Sequence, residues 1–273
     1  ISNSATLAAG KQLTINSTGA LENHGVLQGE GVTLSAGGQL TNAGKIAVGK
    51  DGATLSGSQI VTNDGSTLQS GGDLRLTSRG NITLNGFTGT TGNLTASAPG
   101  SLLNTALLYA GNNMMLYADS IKNQRGDMLA GNNLTMQKDA TGKANKEIVN
   151  TSGNIETEKG DITIRTRHLT NQWLSIKQGE TKKDDIENDW PSYSLGSVDI
   201  PYAFFKPEDL RVYKGTHEMG MVGFTYGYYP TLREGLVSVE IPVSRTVSTT
   251  TTSGDAGRIS AAGNIIGIAD KMD

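Results

Sequence analysis

Apolar and polar residues alternate in short runs along most of the first 172 positions, and Gly and Asn separate the runs. Leu13/Ile15, Leu74/Leu76, Leu134/Met136 and Ile162/Ile164 each set two apolar side chains two residues apart. That spacing puts both on one face of a strand, with the intervening polar residue on the other. Helical spacing does not fit, and Gly, Asn, Thr and Ser are poor helix interiors. The runs also recur. A Gly opens them at Gly10, Gly31, Gly52, Gly72, Gly92, Gly111 and Gly131, with differences of 21, 21, 20, 20, 19 and 20; the next good match is Gly160, 29 residues on. A second ruler is an apolar residue, then Asn, then usually Gly, with Asn at 23, 42, 63, 104, 123, 150 and 171. Its differences are 19, 21, 41, 19, 27 and 21, and 41 is two periods with a degenerate copy near Asn85. Both rulers stretch once, between about 131 and 150, and an insertion around KDATGKANK (138–146) explains both stretches.

A single unit of this length buries nothing alone. Stacked units bury a continuous apolar column and pair each backbone with the coil on either side. The recurrent Asn then forms an amide ladder, each side chain bonding its equivalent in the next coil. Asn is segregated accordingly, 18 of 20 lying in 1–172. The prediction is an all-β fold, a right-handed parallel β-helix of about eight coils, on the order of 40 Å long at roughly 4.8 Å per coil.

After Asn171 the pattern stops, and neither ruler finds a copy over 173–256. Eleven of the 14 aromatic residues and five of the six Pro lie there, with 8 basic against 12 acidic residues, a net charge of -4. Val237, Val239, Ile241 and Val243 alternate with polar residues and Pro, which predicts a half-buried strand at an edge position because Pro242 donates no ladder hydrogen bond. The Thr-rich run 246–252 suits β structure too, and KQGETKKDDIENDWP (177–191) reads as a solvated loop. AAGNIIGIA (261–269) then matches AAGKQLTI (8–15), so the coil pattern resumes. Three segments are expected: a repeat β-helix over 1–172, a non-repetitive β-rich elaboration over 173–256, and a resumed coil over 257–273. With no initiating Met and a repeat at each end, the chain reads as a piece of a longer one.

Composition narrows the chemistry. The chain has 273 residues and a formal net charge of -3, which argues against phosphate-driven nucleic-acid binding. It has no Cys, removing disulfides, thiol catalysis and Cys-type zinc sites. No apolar run is long enough to span a membrane as a helix. His24, His168 and His217 form no metal-ligand spacing, and no nucleotide-phosphate loop is present, so neither metal nor cofactor is expected. Asp119, Asp139 and Asp161 fall close to the repeat period, the pattern by which a β-helix enzyme aligns carboxylates. Each also fits a turn or coil start, and turn chemistry is the preferred reading. The aromatic segment divides between a small hydrophobic core and a recognition surface, for which Tyr and Trp supply rigid contact area. The candidate recognition residues are Trp190, Tyr193, Tyr202, Phe204, Phe205, Lys206, Arg211, Tyr213, Lys214, Phe224, Tyr226, Tyr228 and Tyr229, with GFTYGYYP (223–230) the densest stretch.

The AGxxLxL and LxNxG coils resemble the haemagglutinin repeats of large two-partner-secreted exoproteins, a family that includes filamentous haemagglutinin adhesins and CdiA effectors of contact-dependent growth inhibition. The resemblance covers 1–172 and 258–273. It implies secretion through an outer-membrane partner barrel and a place outside the cell or on the bacterial surface. An aromatic-rich interruption of the repeats is similar to the receptor-binding region of CdiA effectors, which implies an outer-membrane protein or lipopolysaccharide of a neighbouring bacterium as partner. Toxic activity is not implied for this segment. An adhesin for host cells or glycans, a pure scaffold and a polysaccharide-acting enzyme are the competing readings.

Overall fold

The computed structural model describes the backbone of residues 1–178, 182–185, 195–201, 236–242, 244–247, 250–253 and 256–272, and the side chains of 1–174 and 256–272. Among these residues there is no helix, and parallel strands stack into a β-solenoid of about nine turns. The solenoid has one turn more than the rulers count, since Ser2–Asn3 already pairs as a rung with Glu22–Asn23. A typical coil contributes three segments, Leu74–Ser78, Ile82–Leu84 and Phe87–Thr90, each paired with equivalents one coil before and after. The register stacks like on like: Leu55, Leu76, Ala96, Leu116, Met136 and Ile164 form one interior column, each fully or almost fully buried. The alternation in the sequence survives as alternation in burial: in Leu74–Ser78, Leu74, Leu76 and Ser78 are buried and Arg75 and Thr77 exposed. Burying one such aliphatic side chain contributes about 1.5–3 kcal/mol, and a column supplies that at every coil.

A buried amide ladder runs beside the apolar columns. Asn3 Nδ2 donates to Asn23 Oδ1 and Asn23 Nδ2 to Asn42 Oδ1, both at 2.8 Å. A second run joins Asn104 to Asn123 at 2.9 Å, Asn123 to Asn150 at 3.0 Å and Asn150 to Asn171 at 2.8 Å. Every amide points the same way, Nδ2 toward the following coil. Between the runs the register corrects the ruler: Thr62, not Asn63, stands opposite Asn42, and Leu84, not Asn85, stands opposite Asn104. The gap has a visible cost. Leu84 offers no donor, so the buried Asn104 Oδ1 has no partner. Thr62 instead caps the corner of the following coil, its Oγ1 accepting from Gly86 N at 3.2 Å.

The Gly that follows the ladder Asn is a matter of space. A Cβ on Gly126 would lie 2.5 Å from Asn104 Nδ2, and one on Gly153 would lie 2.7 Å from Asn150 Oδ1. Both corners carry an extra residue in the left-handed region, Arg125 at φ 57° and Ser152 at φ 49°. The insertion falls between strands Leu134–Gln137 and Asn145–Thr151. Its end delivers Asn145 into the interior beside Thr166, where it is fully buried and neither side-chain heteroatom has a partner.

After Gln172 the strand pairing changes character. Lys182–Asp185 pairs antiparallel with Ser244–Val247, and Leu195–Pro201 antiparallel with Leu236–Pro242. Ser175–Gln178 and Thr250–Ser253 form a third two-stranded sheet. The reading of 177–191 as a loop is therefore corrected, since it contains strand residues at both Lys177–Gln178 and Lys182–Asp185. Among the described residues each strand of the Leu195–Pro201 pair has one partner, which gives Pro242 an edge position there, where its missing N–H is tolerated. Contacts divide the chain into two compact units, Ile1–Ile176 with Thr252–Asp273, and Lys177–Thr251.

The two buried Asn environments predict opposite outcomes. Asn123→Ala removes a central rung and leaves Asn150 Oδ1 without its donor; it is expected to lower stability by about 2–3 kcal/mol. Asn145→Ala removes two unpaired buried polar atoms and is expected to leave stability unchanged or raise it. Thermal or urea unfolding of the two variants checks the contrast.

Candidate functional site

The chain leaves the solenoid after Gln172 and returns at Gly257, and the two points touch. Gly257 N donates to the Gln172 carbonyl at 3.2 Å, and Asn171 Nδ2 donates to the Gly257 carbonyl at 3.0 Å. From there the returning strand resumes the register without loss. Arg258–Ala261 pairs with Asn154–Thr157, and Ile265–Ile268 pairs with Ile162–Arg165. Asn150 Nδ2 also donates to the Arg258 carbonyl at 3.2 Å. A segment of some eighty residues is thus spliced into the corner of one coil, between Ile162–Gln172 and that coil's last segment Arg258–Ala261, and coil stacking continues across the splice.

The strand pairs of this excursion are nested in sequence: Ser175–Gln178 with Thr250–Ser253, then Lys182–Asp185 with Ser244–Val247, then Leu195–Pro201 with Leu236–Pro242. Chain topology therefore assigns the candidate recognition residues to two intervals. Trp190 and Tyr193 fall between the strands Lys182–Asp185 and Leu195–Pro201. Tyr202, Phe204, Phe205, Lys206, Arg211, Tyr213, Lys214, Phe224, Tyr226, Tyr228 and Tyr229 fall between the two innermost strands. All thirteen lie outside the described residues.

The aspartate row takes a different form from the catalytic alignment weighed in the sequence. Asp161 precedes the strand that registers with Leu134, whereas Asp119 precedes Ser120, which registers with Glu147, so the two sit at different corners. Asp161 Oδ1 accepts from Asn264 N at 2.6 Å and from Asn264 Nδ2 at 3.2 Å. This is one rung of an outer ladder in which Asp73 Oδ1 accepts Asn93 N at 2.8 Å and Asn113 Oδ1 accepts Asn133 N at 3.2 Å. Asp119 pairs with Lys138 at 3.3 Å. Asp139 closes the insertion turn by accepting from Thr141 N at 2.9 Å, and the Thr141 hydroxyl beside it holds its carboxyl below the ordinary range. The outer ladder was not recognised in the sequence, although the Gly-Asn-Asn pairs at 111–113 and 131–133 carry its signal. The solenoid face also has an open polar depression lined in part by Asp51, Asp73 and Arg75. Its carboxylates are already engaged, Asp51 with Lys50 at 2.9 Å and Asp73 in the ladder. Among the described residues no group of His, Asp or Glu is arranged to hold a metal ion.

The haemagglutinin repeat family model matches residues 1–44, 45–86, 89–166 and 237–269. The chain is 46% identical over 269 residues to a tRNA nuclease CdiA of Escherichia coli strain STEC_O31, covering 98% of this chain and 8% of that protein. It is 39% identical to a tRNA nuclease CdiA of Escherichia coli O6:K15:H31, covering 100% and 9%. It is 38% identical to a deoxyribonuclease CdiA of Dickeya dadantii strain 3937, covering 95% and 8%. The chain therefore spans less than a tenth of the length of these relatives. No solved structure matches it.

The edge that carries the insertion predicts a pH dependence. Glu147 accepts from Ser120 Oγ at 2.7 Å and meets Lys122 at 3.1 Å, and the Ser120 hydroxyl, then Lys122, hold its carboxyl below the usual glutamate range. A depressed folded-state pKa contributes stability above the unfolded-state value, and that contribution is lost as pH falls through the folded-state value. Glu147→Gln is expected to be less stable than the parent by a fraction of a kcal/mol at neutral pH, given its partial exposure, with the difference vanishing in acid. Urea midpoints across the acid range measure it.

Proposed function

Because the chain belongs to the haemagglutinin-repeat family and forms a stalk segment of the CdiA and filamentous haemagglutinin kind, we propose that it is an extracellular stalk section whose segment 173–256 recognises a receptor on the surface of a neighbouring bacterium. The receptor is an outer-membrane protein or lipopolysaccharide. The full-length protein reaches the cell surface through an outer-membrane partner barrel, and its stepwise coils suit folding after export, since each coil needs only its predecessor as template.

The observation that carries this reading is the splice at Gln172 and Gly257. A scaffold that only extended a rod would have no use for a long departure that returns to the same register. The excursion concentrates 11 of 14 aromatics in a chain otherwise poor in them, the composition of an interface hot spot. The relatives support a role separate from toxicity. They are named for different nucleolytic activities, on tRNA and on DNA, yet share this segment over nearly its whole length. A segment common to proteins of different named activity does not itself distinguish those activities. The net charge of -4 over 173–256 weakens broad attraction to anionic lipopolysaccharide, which leaves Lys206, Arg211 and Lys214 as the local cations for such a partner.

Two variants test the reading. In one, 175–255 is replaced by a short Gly/Ser joint; the proximity of Gln172 to Gly257 predicts an intact solenoid by far-ultraviolet circular dichroism. In the other, Tyr226, Tyr228 and Tyr229 are changed to Ala. Labelled parent protein is expected to bind susceptible bacterial cells, the joint variant not at all, and the triple variant at least tenfold more weakly, on the order of a hot-spot loss. Undiminished binding by the joint variant contradicts the proposal. Binding to animal cells with none to bacteria favours the adhesin reading in its place.

A further inference from the structure

The chain contains one Asn–Gly dipeptide, Asn85–Gly86. These two residues make up a whole corner between strands whose ends are fixed by register, since Leu84 pairs with Thr62 and Asn104, and Phe87 pairs with Thr67. Asn–Gly is the most reactive setting for cyclisation of an Asn side chain. Gly has no Cβ to obstruct attack by its own nitrogen, and its backbone turns freely. The fold has no room for another residue here, because a Cβ at 86 would collide with the Asn63 carbonyl oxygen and the Ser66 side chain. The dipeptide is instead held in place. Asn85 N donates to the Thr62 carbonyl at 2.9 Å, and the buried Gly86 N donates to Thr62 Oγ1 at 3.2 Å. On the following coil the Thr105 hydroxyl donates to Asn85 Oδ1 at 2.9 Å. Thr62 is itself fully buried, whereas Asn85 is half-buried and reaches solvent. One buried residue thus binds two consecutive N–H groups of the reactive corner.

We propose that Asn85–Gly86 is a latent deamidation site of the solenoid, kept closed by the Thr62 hydroxyl. In the reaction Gly86 N loses its proton to a base and attacks Asn85 Cγ. The side-chain nitrogen takes up a proton and leaves as ammonia, which closes a succinimide ring. Water then opens the ring at either carbonyl, giving aspartate or isoaspartate at 85. Ring closure requires the Asn85–Gly86 peptide to turn until its nitrogen faces Cγ, and that motion breaks the bond to Thr62 Oγ1. The side chain must also swing toward Gly86, which withdraws Oδ1 from Thr105. A buried N–H separated from its acceptor is costly, so the attacking geometry is disfavoured for as long as the hydroxyl is present. Opening to isoaspartate routes the main chain through the former side chain and adds one methylene to a corner of two residues. Both neighbours, Leu84 and Phe87, are paired to adjacent coils and leave that corner no slack. The inference rests on solenoid residues alone and is independent of the receptor reading for 173–256.

The test incubates the full 273-residue chain in mildly alkaline buffer and follows aspartate and isoaspartate at position 85 by peptide mapping and mass spectrometry. The folded parent is expected to deamidate at 85 about tenfold or more slowly than the parent in urea, because the reaction in the folded chain must await local opening. Thr62→Val, shown to remain folded by circular dichroism, is expected to react about three- to tenfold faster than the folded parent, the range that one hydrogen bond supports. Thr62→Ser restores the hydroxyl and is expected to react as the parent does. Asn123→Ala, which lowers stability at another rung, is also expected to keep the parent's rate at 85; it separates a local guard from general loosening of the rod. Should Thr62→Val not fold, the comparison of folded and urea-unfolded parent and the Thr62→Ser rate still decide. Equal rates in folded and unfolded parent, a Thr62→Val rate equal to the parent's, a Thr62→Ser rate well above the parent's, or an equal acceleration in Asn123→Ala overturns the proposal.

Discussion

In-register stacking of one coil on the next is the constraint on which the rest of the structure depends. A parallel strand in this solenoid has no lasting partner except its equivalents about twenty residues away, so every coil must present the same side chain at the same height. The apolar columns enforce this through volume. The amide ladder enforces it through geometry, because a buried Asn satisfies its neighbour only when the two are level. The orphaned Oδ1 of Asn104 shows how local the rule is: one Leu at position 84 breaks the chain of donors, and the strain is confined to a single oxygen. The column of aliphatic side chains runs through the gap unbroken, so the coil keeps its place.

That constraint also explains why the molecule tolerates large additions. Anything inserted at a corner is harmless if the chain re-enters at the next rung. The short insertion does so between Gln137 and Asn145, at the cost of one buried amide without partners. The long excursion does so between Gln172 and Gly257, where both ladders pick up the returning strand, the inner one at Gly257 and Arg258 and the outer one at Asn264. Function is therefore free to reside in the added segments while the rod stays uniform.

Much of the fold was legible because its period is imposed by stacking and so must be written in the sequence. Alternations such as Leu74/Leu76 and Ile162/Ile164 became buried columns, and the Asn ruler became a ladder of hydrogen bonds between 2.8 and 3.0 Å. The ruler failed at 63 and 85, where a nearby Asn imitated the period although Thr62 and Leu84 hold the rung. Sequence spacing counts residues, whereas the ladder follows height, and corner lengths differ from coil to coil. The outer ladder escaped notice because its acceptor alternates between Asp, at 73 and 161, and Asn, at 93 and 113, so no single residue type marks every rung. The strands within 177–191 escaped for another reason: Lys182–Asp185 is wholly charged, and its β structure comes from an antiparallel partner sixty residues on. The candidate recognition residues were identified by composition alone, because no periodic constraint acts on them.

The most direct test of continuous stacking across the excursion is cross-linking in a chain that has no Cys of its own. Thr163 and Ile266 are register partners on adjacent coils, one on each side of the splice. Cysteines at both positions meet the Cα separation of about 4.4–6.8 Å that a disulfide needs. Thr163 and Ile268 are two residues out of register and do not meet it. Oxidation of the folded protein, read by peptide mapping, is expected to link the pair at 163 and 266 and not the pair at 163 and 268. The opposite pattern, or no link in either, contradicts a solenoid that resumes in register after the excursion.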